Sequence, residues 1–187
     1  GCMLVVPLIV HRMLGYRWRD VFPRGVTWRD WVWSGIALVV GLAVNSGGYQ
    51  AGIEGKIAAD PTGRAAVGAA VGCLIALVNA GIPEEFLYRY WLQTRLEQRF
   101  GRKVAIVGTA LLFTAWHVPS RYFLARGVEG RAGDLGSVLL GTGLPVLIVA
   151  LIFGMLWDKY RRLLPLIAVH WGVDALPLAG AILGIHK

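Results

Sequence analysis

The chain has 187 residues, of which 56% are hydrophobic and 16% charged, and it carries a net charge of +8. A soluble domain has about a quarter of its residues charged; here long apolar blocks alternate with short charged loops, which excludes an ordinary soluble core and fits a bilayer. The Arg and Lys residues lie in those loops, where they set orientation and meet anionic headgroups, and no recognition motif supports a nucleic-acid partner.

Taken in chain order, residues 2–10 read as the tail of a first span, with the native start expected upstream of Gly1. A basic loop follows, with Arg12, Arg17, Arg19, Arg24 and Arg29 against Asp20 and Asp30. Thr27 and Asp30 have the spacing of a capping box, so a helix is predicted from Trp28 through WVWSGIALVVGLAV. The Gly-rich stretch 47–64 reads as a loop. AAVGAAVGCLIALVNAGI is long enough to span and runs straight into the amphipathic PEEFLYRYWLQTRLEQRF. After the basic turn Gly101–Lys103, VAIVGTALLFTAW is predicted as a helix ending at His117 and Pro119, with a polar loop over 120–135. GSVLLGTGLPVLIVALIFGMLW, with Pro145 as a kink, and LLPLIAVHWGVDALPLAGAILGI are the last two spans, joined by DKYRR. The two cysteines, Cys2 and Cys73, give no disulfide framework and no zinc-finger spacing.

The expected fold is therefore all-α: a polytopic integral membrane helical bundle of about five to six spans. It forms a single domain over 1–187 with its core at 65–180. The basic loops 11–30, 99–103 and 158–162 share one side only if 65–100 is one long helix, broken near Gly81 and Pro83, that crosses once. That side is read as cytosolic, in a bacterial or archaeal plasma membrane.

Ionisable groups at bilayer depth are costly and usually functional. Glu84, Glu85, His117, His170 and Asp174 stand out, with Arg89 beside them. At about 1.5 Å per residue, Glu84 and His117 lie roughly 25 and 20 Å from the Gly101 turn, and His170 and Asp174 roughly 11 and 17 Å from DKYRR, which puts all four in one layer. Each also has a structural role open to it. Pro83-Glu84-Glu85 makes a good helix start, Glu85 and Arg89 can pair four apart, and His170 can be satisfied by Asp174 one turn on. Phe113 reads as a packing ring. A buried carboxylate with two imidazoles has the parts of a hydrolase: a base, a partner that orients water, and an oxyanion donor. The same residue types, Glu84, His117 and His170, are also a zinc ligand set, and the residues alone leave both open. HExxH, GxSxG, the P-loop and the dinucleotide fingerprint are absent from the sequence.

Glu84-Glu85 with Arg89 resembles the EExxxR motif of the CPBP (ABI) family of intramembrane proteases, which includes the CAAX prenyl endopeptidases of the Ras-converting-enzyme type. Phe113 with His117 resembles that family's FxxxH, and His170 with Asp174 its HxxxN/D, in the same order over about residues 65–180. The resemblance implies a helical membrane fold with a conical cavity, open to cytosol and membrane, and hydrolysis of a peptide bond in a membrane protein or peptide. By carry-over, Glu84 and His117 activate water, His170 and Asp174 stabilise the oxyanion, and Glu85, Arg89 and Phe113 support the site. A glutamate mechanism without a cofactor is preferred, and a zinc-dependent one is the alternative. Asp174 stands where the Ras-converting type has Asn, and Tyr90 where Gly is common. Those departures motivate a second expectation, a non-catalytic binding or immunity protein of the same fold.

Overall fold

The computed structural model describes residues 25–125 and 129–185, with the isolated positions 9, 12, 13 and 15. Among the described residues five long helices follow one another: α1 (Trp28–Ala58), α2 (Arg64–Phe100), α3 (Arg102–Leu124), α4 (Leu135–Tyr160) and α5 (Leu163–Ile182). Among the described residues there is no strand. α1, α2, α4 and α5 are long and apolar enough to cross a membrane. α3 has 23 residues and closes on His117, Ser120 and Arg121, so the described residues hold four to five of the expected spans. The first span, expected at 2–10, falls outside the described residues apart from Ile9. Val39, Val44, Leu74, Leu111 and Leu140 point outward and exposed, an apolar surface that water would not tolerate and lipid tails accept.

The described residues of Gly1–Leu87 and Arg162–His186 form one compact unit, and those of Tyr88–Arg161 another. In the first, α1 opens on the capping box read from the sequence: the Thr27 amide and hydroxyl both donate to Asp30 Oδ2 at 2.7 Å. Arg162, just before α5, donates to the same oxygen at 2.7 Å. The two helices therefore start side by side and run parallel. Their closest approach is at Gly41 and Gly172, where a Cβ on Gly172 would lie 2.7 Å from the Leu38 carbonyl oxygen and one on Gly41 would overlap Val169 O. Small residues let backbones meet where there is no hydrophobic effect to drive helices together.

The same logic overturns the loop expected at 47–64. α1 continues to Ala58, because Gly52 makes room for Ile185 and the Tyr49 ring lies over Gly180. Gly52 thus belongs to a packing face, and the turn itself occupies only 59–63. There Asp60 accepts from the Thr62 hydroxyl and from the Thr62 and Ala65 amides, closing the open start of α2. Those hydrogen bonds, led by the Thr62 hydroxyl, hold the Asp60 carboxyl below its ordinary value.

Residues 64–100 form the one long helix expected. It widens into π turns at Leu77–Gly81 and Phe86–Gln93. The first ends just before Pro83, whose ring and missing N–H disturb the preceding turn. α4 repeats the device, with a π stretch at Leu139–Gly143 ahead of Pro145. In the first unit α2 runs antiparallel to α5: Gly72 abuts Ala179, Gly81 abuts Ile167 and Trp171, and the Trp171 indole donates to Cys73 O at 2.8 Å.

In the second unit, Gly101 at φ +82° turns the end of α2 into α3. Gln93 Nε2 donates to Gly154 O at 2.8 Å, and Arg102 pairs with Asp158 at 2.6 Å. Arg161 takes the left-handed conformation at φ 51°, where Gly is usual, held there by ion pairs to Glu97 and Asp158. α3 does not stop at Pro119 as expected but runs to Leu124, with Ser120 donating back to His117 O at 2.9 Å, so the polar connection starts later than residue 120.

Candidate active site

In the first unit, the π turn at Leu77–Gly81 and Pro83 bring Glu84 and Glu85 onto the stretch of α2 that packs against α5. Glu84 is 7% exposed, Glu85 0% and His170 7%. Buried charges of this kind persist only when partnered. His170 is the hub. Its Nδ1–H donates to Glu85 Oε1 at 2.7 Å, and its Nε2 faces Glu84 Oε2 at 3.6 Å and Asp174 Oδ2 at 3.4 Å. Asp174, one turn along α5, keeps 39% of its side chain exposed and so is the carboxyl of the group that faces outward. The Trp171 bond to Cys73 O and the contact of Gly81 with α5 fix the register of the two helices on either side of this cluster.

The Glu85–His170 bond joins residues 85 apart, and the helical spacing that lets Glu85 and Arg89 pair does not reveal it. The available signal was the double acid itself, since two adjacent buried carboxyls need two partners.

In the second unit, Arg89 is fully buried, with its guanidinium carbon 5.2 Å from the Phe113 ring centre and 5.8 Å from that of Phe153. Phe113 is buried against other rings: Tyr88 meets it edge-on at 4.9 Å and His117 lies against it at 4.6 Å. His117 Nδ1–H donates to Phe113 O, one turn back, at 2.9 Å. That bond fixes the tautomer, and the neutral ring then presents a lone pair on Nε2. Tyr90 packs edge-on against Trp157 at 6.3 Å.

Among the described residues no group of three or more His, Cys, Asp and Glu side chains is arranged to hold a metal ion.

Long apolar helices with a buried group of acids around one imidazole define a multi-pass membrane protein with the means for proton-transfer chemistry. The profile of the Rce1-like type II CAAX prenyl endopeptidases matches residues 66–176, more than half of the chain, and the protein belongs to that family. Comparison with curated proteins and with solved structures gives no match. Family membership makes it a membrane-embedded protease of the CAAX type.

Proposed function

We propose that this protein is a glutamate-type intramembrane endopeptidase that cuts a membrane-associated protein or peptide, with Glu84 as its base. The observation that supports this best is the pairing of Glu84 Oε2 with His170 Nε2 at 3.6 Å. Two polar atoms that far apart can both reach a third atom at hydrogen-bond distance. In the reaction, Glu84 takes a proton from water as the water oxygen bonds to the scissile carbonyl carbon. His170, doubly protonated, donates from Nε2 to the oxyanion while Glu85 holds Nδ1–H and Asp174 steadies the ring. Glu84 then passes its proton to the leaving nitrogen as the C–N bond breaks, giving an amine and a carboxylic acid that loses its proton to solvent on release. His117 is assigned a part in water activation from its place in the FxxxH motif, and its Nε2 lone pair is the kind of acceptor that role needs. The basic turns face the cytosol and the substrate enters from the bilayer.

Membranes from cells carrying the wild type or Glu84→Ala are compared by quantitative proteomics. An uncut precursor is expected to accumulate with Glu84→Ala although the variant inserts normally, and cleavage by the wild type is expected to survive a chelator. Unchanged processing by Glu84→Ala refutes the proposal, and loss on chelation moves it to metal-dependent hydrolysis.

A further inference from the structure

α5 carries Pro177 inside its length. Proline has no N–H, so the carbonyl four residues earlier, that of Val173, loses its helical donor. In a bilayer no water stands ready to replace it. The replacement comes from another helix: Asn45 Nδ2, on α1, donates to Val173 O at 2.7 Å. A side chain as short as Asn reaches because Gly41, one turn earlier on α1, lets the backbones of α1 and α5 meet at Gly172.

The place of this bond gives it a use. The Val173 carbonyl belongs to the peptide plane that carries the Asp174 nitrogen, and His170 lies three residues before it. The Asp174 carboxyl faces His170 Nε2 at 3.4 Å. A carbonyl released by proline would leave the turn between His170 and Asp174 free to tilt, and the Asn45 amide pins it. We infer that Asn45 is a positioning residue of the hydrolytic site, holding the His170–Asp174 turn through the carbonyl that Pro177 frees. The inference rests on the proposed function, since it assigns that turn to catalysis.

The test uses the full chain in nanodiscs and, as substrate, the precursor that accumulates with Glu84→Ala. Asn45→Leu keeps the bulk and removes the donor. It is expected to lower kcat about tenfold or more with KM little changed, and to shift the His170 ring nitrogen signals in NMR. Asn45→Leu with Pro177→Ala restores an N–H for the Val173 carbonyl from within α5, and both rate and ring signals are expected to return toward wild type. Wild-type kcat in Asn45→Leu overturns the inference, as does a loss that Pro177→Ala fails to rescue or one wholly explained by less folded protein. If no Glu84-dependent precursor exists, the hydrolytic reading falls and takes this inference with it. If Glu84→Ala is dead while Asn45→Leu cuts at full rate, this inference alone falls.

Discussion

Replacing Glu85 with Gln isolates the charge of the group that holds His170. The Glu85 carboxyl is fully buried and accepts from His170 Nδ1–H at 2.7 Å, so water cannot substitute for it. Gln keeps an acceptor oxygen at the same place but makes the bond neutral. Hydrogen bonds to charged groups are worth about 1.5–3 kcal/mol and neutral ones about 1, so the change removes about 0.5–2 kcal/mol, centred on about 1.3. If the ring is a cation when it donates to the oxyanion, that loss falls on the transition state and lowers kcat about tenfold. Glu85→Ala goes further by leaving a buried N–H unpaired, at about 1–3 kcal/mol more, and should lower kcat about a hundredfold or beyond. The assay is cleavage of the Glu84-dependent precursor by purified protein in nanodiscs, with folded fraction measured in parallel. Equal rates for wild type and Glu85→Gln, or Ala outperforming Gln, would refute the reasoning, because either result means that the ring does not depend on that carboxylate.

Two further outcomes test the frame around the site. A Cβ at Gly172 would lie 2.7 Å from Leu38 O and 2.8 Å from Leu42 N, both backbone atoms that no rotamer change can move, so Gly172→Val should cost about 1–3 kcal/mol and lower the melting temperature in detergent by several degrees. Gly108→Ala, where the nearest neighbour is a flexible Leu96 methyl at 3.8 Å, should leave it unchanged. At the start of α2, the Asp60 carboxyl is held below its ordinary value, so its capping is in place above about pH 4 and is lost as the pH falls through the lowered folded value. Hydrogen exchange at the Ala65 amide should therefore be slow at neutral pH and faster in Asp60→Ala, with the difference between the two closing in acid.

Much of the fold followed from the chain itself. A run of apolar residues long enough to span a bilayer has few alternatives to a helix, so α2, α4 and α5 were legible in the sequence, and Thr27 with Asp30 marked the start of α1. The same economy made the ionisable residues of those runs conspicuous, and helical spacing put His170 and Asp174 on one face. What the sequence misjudged were residues whose meaning depends on a neighbour. The α1 glycines past residue 46 looked like a loop, because a glycine that admits another helix and one that breaks its own have the same signature. Pro119 looked like a helix end, yet α3 carries on past it. Tertiary structure alone decided that Glu85 answers to His170 and that Asn45 answers to a carbonyl freed by Pro177, because both bonds join residues brought together by packing between helices, and no local periodicity encodes which helices pack together.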